Sequence, residues 1–241
     1  MLSFFSKKQP LSNLEWLGTD LNSHLLVLNE NGSVDIPNSI NCIRQLYGLG
    51  IKSIYCFYPV TTIKSSLSEI IITTKTQLES ALIESGLDVT VVVGAKYIVD
   101  KSFIVSKDLI ALLDCYIFLE LSLFNEPQNL EEVVFNLQIS GYKVILASPE
   151  QYAYYQNNKS RYRRLKNLGV LFQLNIMSLT GHYGSEVKTA ALYLLEKSYY
   201  DLAGTGAHSD KHIDLIKKIV LNRSIFDKIR SYKFKNRDLL K

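Results

Sequence analysis

Leu130-Glu131-Glu132-Val133-Val134-Phe135-Asn136-Leu137-Gln138-Ile139-Ser140-Gly141-Tyr142-Lys143-Val144-Ile145-Leu146-Ala147 decides the fold class, because it contains a complete helix, stop and strand. Leu130, Val133, Val134 and Leu137 recur at helical spacing and make one apolar stripe. Gly141 then supplies a helix stop. The run from Lys143 to Ala147 is apolar almost throughout, as a buried strand requires. A chain that repeats this unit builds a parallel sheet covered by helices.

The unit does repeat. Ser53-Ile54-Tyr55-Cys56-Phe57, Val89-Thr90-Val91-Val92-Val93, Tyr116-Ile117-Phe118-Leu119-Glu120-Leu121 and Val170-Leu171-Phe172-Gln173-Leu174-Asn175 read as further buried strands. Ile40, Ile43, Leu46 and Tyr47 form one helical stripe, and Ile70, Thr74, Leu78 and Leu82 another. Gly50, Gly86 and Gly169 each end a helix before the next strand. No Gly-x-Gly-x-x-Gly loop follows the first strand, which favours a closed barrel over an open dinucleotide-binding sheet. The expectation is an α/β barrel over residues 14–222, with an N-terminal extension over 1–13 and a basic C-terminal helix or tail over 223–241.

Composition narrows the classes further. The chain has 241 residues, 47% apolar and 21% charged, enough to bury a full core. No apolar run approaches the roughly 18 residues that span a bilayer. Met1-Leu2-Ser3-Phe4-Phe5-Ser6-Lys7-Lys8 is too short in its apolar part for a signal peptide and lacks a small-residue cleavage site. Its phenylalanines and lysines suit weak contact with a membrane surface, although a loosely packed terminus explains them more simply. Cys42, Cys56 and Cys115 are odd in number and scattered, as for reduced thiols of a cytoplasmic protein, near the inner membrane at most. Much of the +4 net charge lies in Lys159-Arg161-Arg163-Arg164-Lys166 and Lys228-Arg230-Lys233-Lys235-Arg237. These runs read as solvated faces and a basic tail, so no nucleic-acid partner is expected.

Barrel chemistry belongs at the strand ends. Those ends carry Asp20-Leu21-Asn22-Ser23-His24, Phe57-Tyr58-Pro59, Ala95-Lys96-Tyr97, Ala147-Ser148-Pro149-Glu150-Gln151-Tyr152 and Gly204-Thr205-Gly206-Ala207-His208-Ser209-Asp210-Lys211-His212. On a regular strand Asp20, Asn22 and His24 face one side, where they would meet one cation, but Asn22 is a poor ligand.

With Ser178-Leu179-Thr180-Gly181, these fragments resemble the bacterial polymerase-and-histidinol-phosphatase (PHP) family, in its branch of manganese-dependent protein-tyrosine phosphatases from capsule and exopolysaccharide operons. The likeness runs from about Leu14 to about Ile219. It implies a distorted (β/α)7 TIM-like barrel, a metal cluster at the strand C-termini, and phosphotyrosine on a membrane kinase tail as substrate. Departures are numerous. Asn22 replaces one of two histidines; His24 keeps the other. Glu30 retains one acid of a pair. Pro59 stands for a histidine and Lys96 for a bridging glutamate. Ser148 and Gln151 replace the histidine and arginine around Pro149-Glu150. Gly206 replaces an aspartate two residues before His208.

Manganese needs several oxygen or imidazole donors, and an ammonium at Lys96 opposes it. Without activated water and a metal clamp, phosphatase chemistry fails. Gln151 also lacks the arginine fork for phosphate, so affinity for the dianion should fall. No cofactor is therefore expected, the alternative being Mn or Zn at a partial site on His24 and His208. Lys96 either replaces the cation, if Asp20, Glu30 and Glu150 converge on it, or reaches solvent. Glu120 reads as a paired barrel acid or a leftover site carboxylate. Lys211 and His212 read as phosphate-facing or as a plain helix start. Tyr152, Tyr154 and Tyr155 read as loop packing or a binding patch.

The expected function is a pseudophosphatase that binds, regulates or assembles a protein partner in polysaccharide or envelope export, with a tyrosine-rich kinase tail or an export component as the candidate partner. The alternative is a residual metal-dependent tyrosine phosphatase, a phosphoric monoester hydrolase, using His24, Glu150 and His208.

Overall fold

The computed structural model describes residues 13–26, 34–63 and 65–240. Seven strands pair in chain order, each parallel to the next: β1 Thr19–Ser23, β2 Ser53–Val60, β3 Thr90–Val99, β4 Tyr116–Leu121, β5 Lys143–Ala147, β6 Leu171–Asn175 and β7 Tyr200–Gly204. Around them lie α1 Ile36–Gly48, α2 Leu67–Glu84, α3 Leu130–Ile139, α4 Ala153–Gln156, α5 Lys159–Asn167, α6 Ser185–Glu196 and α7 Asp210–Leu221, followed by α8 Arg223–Ser231. The expected seven-stranded TIM-like barrel is what this chain forms.

Side-chain alternation divides the core in two. Outward residues of the sheet pack on the helix stripes, including all four α3 residues of the opening stretch. Inward residues fill the lumen with Leu21, Tyr55, Phe57, Phe118, Ile145 and Leu202, and the rings of Phe57 and Phe118 stack at 4.4 Å. Gly50, Gly86, Gly141 and Gly169 take positive φ, as helix stops require. Two details differ from the sequence reading. The buried stripe of α2 runs through Leu67, Ile71, Thr74, Leu78 and Leu82, leaving Ile70 half-buried at its edge. Strand β3 continues to Val99, so Lys96 lies within the strand instead of at its end.

The hydrogen-bonded ladder runs from β1 to β7, and side chains close the remaining seam. Near the strand starts, Asn236 donates through Nδ2 to Thr19 O (2.7 Å) and Ala203 O (2.6 Å) and accepts from Ala203 N at 2.9 Å. Higher up, Asp20 accepts from Thr205 N at 2.6 Å, and from the hydroxyls of Thr205 and Ser23 at 2.5 Å each. The backbones touch at Gly204, where any β-carbon would fall 1.4 Å from Leu21 O.

The basic tail is tied to the same lower end. Tyr232 donates to Tyr200 O at 2.9 Å, and Lys235 pairs with Asp201 at 2.8 Å while Lys166 holds the other carboxylate oxygen. Asn236 is buried and contributes three hydrogen bonds. Its replacement by alanine leaves backbone groups on both sides of the seam unsatisfied. We expect Asn236→Ala to cost about 3 kcal/mol in urea unfolding; a loss below about 0.5 kcal/mol would show that the seam does not depend on it.

Candidate functional site at the strand ends

Above the apolar lumen lies a polar layer built from Lys96 on β3, Glu120 on β4, Asn22 on β1 and Gln173 on β6. Lys96 is 6% exposed in its side chain and forms an ion pair with Glu120. Its Nζ also lies 3.4 Å from Asn22 Oδ1 and 3.2 Å from His24 Nε2. Parity along β4 explains Glu120: Tyr116 and Phe118 face the lumen, so the next residue but one does too.

A β-bulge explains Asn22. Leu21 pairs with Tyr55 and Ser23 with Cys56, leaving Asn22 as the extra residue, at φ 75°. Asparagine tolerates that left-handed conformation better than most residues. The bulge turns Asn22 inward beside Leu21, where its Nδ2 donates to Gln173 Oε1 at 3.1 Å. The expected common face of Asp20, Asn22 and His24 is thereby lost. Asp20 goes to the seam, and its carboxyl is raised above the usual range by burial, against the lowering effect of Ser23 and Thr205.

Lys96 sits inside the pocket as the cation-replacement reading expects, but with different acidic partners from those named for it. It does not reach solvent, and its carboxylate partner is Glu120, not Asp20 or Glu150. Glu30 lies outside the described residues. Glu150 is fully buried under the turn Ile176–Thr180, accepting from Asn175 N (3.0 Å), Ser178 Oγ (2.8 Å) and the Tyr200 hydroxyl (2.9 Å). Burial pushes its pKa up to about 7, with those hydrogen bonds pulling the other way.

The other expected site residues are scattered around this layer. Pro59 is exposed and pairs in register with Lys96. Ser148 is buried in left-handed backbone at φ 46°, capping the short turn Pro149–Gln151, in which Gln151 is half-buried. Lys211 is exposed in the first turn of α7. Gly206 has φ 66°, and a β-carbon there would meet Asn175 Nδ2 at 2.5 Å. The room an aspartate would need is thus filled by the Asn175 amide. Tyr152 donates to Ala147 O and accepts from Leu121 N, so the tyrosine run serves packing.

All four histidines of the chain gather at this mouth. Ring centroids of His208 and His212 are 4.0 Å apart, those of His212 and His182 are 5.1 Å apart, and His24 lies 6.3 Å from His208. The i, i+4 spacing of His208 and His212 was a usable signal in the sequence; His182 had none. The His24 ring keeps some solvent-exposed surface, yet its pKa is held well below the usual range by desolvation and then by the Lys96 charge. Burial and the neighbouring histidines lower His212 to about 4, and burial and His182 lower His208. These effects hold His24, His208 and His212 toward the neutral form, and the buried Nδ1 of His212 has no protein partner among the described residues. A groove of about 570 Å³, lined by Ile36, Ile72, Thr76 and Glu84, lies away from them between α1 and α2.

The sequence matches the family described as capsular polysaccharide synthesis, CpsB/CapC, over residues 18–215. The chain belongs to that family. It is 25% identical over 197 residues to the tyrosine-protein phosphatase YwqE of Bacillus subtilis strain 168, spanning 80% of this chain and 78% of the relative. It is 24% identical over 121 residues to a putative tyrosine-protein phosphatase, CapC of Staphylococcus aureus, spanning 48% of each. In three dimensions it matches a structure reported for YwqE and Streptococcus pneumoniae CpsB with a TM-score of 0.73 at 23% identity, covering 88% of this chain and 89% of the other. The CpsB/CapC family is thus the PHP-type capsule branch that the strand-end fragments resemble.

That comparison corrects one expectation. The solved relatives are described as unique metal-dependent tyrosine phosphatases, so the reading of a protein with no cofactor is overturned. The donor chemistry seen here nevertheless does not fit a cluster of hard cations. An ammonium paired with Glu120, two amides and a proline occupy the positions nearest the lumen, and Asp20 and Glu150 are held by other partners. Among the described residues, no three of His, Cys, Asp and Glu are placed to share one ion.

Two measurements check this description. Lys96→Met and Glu120→Gln should be coupled in a double-mutant cycle by about 1–3 kcal/mol, the lower end reflecting the partly exposed carboxylate; additivity would deny the ion pair. The second concerns Glu150, whose native pKa near 7 exceeds its ordinary value of 4.5. Between those pH values the native state keeps a proton that the unfolded chain has released, so stability falls as pH rises and levels off above about 7. Glu150→Gln removes that contribution while the histidines act equally in both proteins. The difference in stability between variant and wild type should therefore grow in the variant's favour by a few kcal/mol from pH 4.5 to 7.5; a pH-independent difference would contradict the raised pKa.

Proposed function

We propose that this protein acts on phosphotyrosyl protein in capsular polysaccharide synthesis, as a phosphoric monoester hydrolase of the tyrosine-phosphatase type. The family match and the names of the relatives support the reaction class. The observation in this chain that carries the reading is the histidine row beside Lys96. An imidazole offers at least one N–H in either protonation state, and the row extends from the lumen rim to the first turns of α7, whose N-terminal end favours an anion. A phosphate monoester entering from solvent meets donors of this kind, with Lys211 exposed nearby.

A second reading is favoured by one specific contact. The Lys96–Glu120 pair occupies the upper lumen, which supports recognition of phosphotyrosine without turnover, in a regulatory or assembly role. The same experiment separates the two. A phosphotyrosyl peptide and an aryl phosphate are offered with and without Mn²⁺ or Zn²⁺, and both turnover and peptide affinity are recorded. Turnover of the phosphorylated peptide, reduced at least about a hundredfold in His208→Ala, is the expected result, and the arms without added cation record whether it needs one. Selective binding of the phosphorylated peptide without turnover assigns the second reading. Neither turnover nor preference for the phosphorylated peptide would overturn both.

A further inference from the structure

We propose that the lower end of the barrel, opposite the histidine row, is a docking surface for an anionic lipid bilayer. The charge of this chain is strongly uneven. Residues 211–241 carry ten lysines and arginines against three aspartates, formally +7, whereas residues 1–210 sum to −3. The net positive charge of the whole protein is thus set by its last helices and tail.

Topology puts that charge on one face. Helix α7 starts at the mouth with Asp210 and returns toward the strand starts, ending at Leu221. Helix α8 and the tail then cross the lower end, where Tyr232, Lys235 and Asn236 bond to the first residues of β7 and β1. Lys217, Lys218, Arg223, Lys228, Arg230 and Lys233 are all exposed. The acidic groups nearby are partly paired. Asp201 is neutralised between Lys166 and Lys235, and Asp214 pairs with Lys217, while Glu84, Asp88, Asp114 and Glu196 stand at the same end beside the other strand starts.

One feature selects a bilayer over another polyanion. Leu221 is 79% exposed at the corner between α7 and α8, flanked in sequence by Lys217, Lys218 and Arg223. An apolar side chain among cations suits the interface between headgroups and acyl chains. The chain also reaches the described structure at Asn13, which lines a cleft on this same face with Arg230 and Arg237. Helix α8 buries Phe226 and Ile229 against the barrel, so the contact is peripheral and not insertion of that helix. A bilayer bound here leaves the mouth facing away from the membrane, open to a protein substrate.

Co-sedimentation of the full chain with vesicles tests this without reference to catalysis. Binding to phosphatidylcholine vesicles containing phosphatidylglycerol should exceed binding to phosphatidylcholine alone by at least about tenfold and weaken as salt is raised. Lys218→Glu/Lys228→Glu/Lys233→Glu should lower it by at least about tenfold, since each basic group near the surface is worth roughly fivefold. Leu221→Asn should weaken it with no change in net charge. Circular dichroism confirms folding of the variants, and the salt series on the unaltered protein decides the matter if the triple variant does not fold. Equal binding to both vesicle types, or salt-insensitive binding, would overturn the proposal. So would a DNA duplex or polyglutamate that displaces the protein from vesicles at equal charge, because the face would then belong to a different polyanion.

Discussion

An ammonium inside a barrel needs acceptors around it, and the upper lumen of this protein is arranged to meet that requirement for Lys96. Glu120 supplies the opposite charge, Asn22 a carbonyl oxygen and His24 an imidazole lone pair. Each acceptor carries a structural consequence. Asn22 reaches inward only because β1 bulges at that residue. His24 accepts at Nε2 only as the neutral ring, which agrees with its lowered pKa. Gln173 then holds the Asn22 amide and spends its own donor on Leu174 O at 2.6 Å. The layer is a closed set of partners, in which replacing one member leaves another buried and unmatched.

The remaining strand-end acids serve the scaffold. Asp20 joins β1 to the loop after β7, and Glu150 anchors the turn that follows β6. Both are buried, and both have carboxyl groups shifted toward the protonated form by that burial. Gly206 and Asn175 show the same economy, since the volume beside one is filled by the other. Of the residues that depart from the resembled pattern, Asn22 and Lys96 meet in the layer, and the space beside Gly206 is filled by the Asn175 amide. Functional groups on the solvent side are mostly imidazoles, which is where the phosphotyrosine reading places its weight.

How much of this was legible depended on whether the signal was local. Strand runs such as Lys143–Ala147 and the α3 stripe were readable because burial is written in consecutive residues. The strand-end fragments were readable because a barrel collects them at one end. The bulge at Asn22 was not, since an asparagine at positive φ looks like any other in sequence. Asn236 closes the seam across 217 residues of chain, with no local mark of its role. Lys96 lies inside β3 and not at its end, because the strand tolerates the ammonium by matching its charge from β4. His182 joins the histidine row only through the turn after Thr180, which periodicity does not encode.

The most direct test of the Lys96 layer is the protonation of His24, read from the imidazole ¹⁵N shifts of the protein as pH is lowered from 8 to 5. A donor ammonium 3.2 Å from Nε2 fixes the Nδ1–H tautomer. His24 should therefore keep an unprotonated Nε2 and a neutral ring throughout that range. Titration of His24 near the ordinary histidine value of 6.5, or the Nε2–H tautomer at neutral pH, would show that Lys96 does not hold it and that the layer described here does not form.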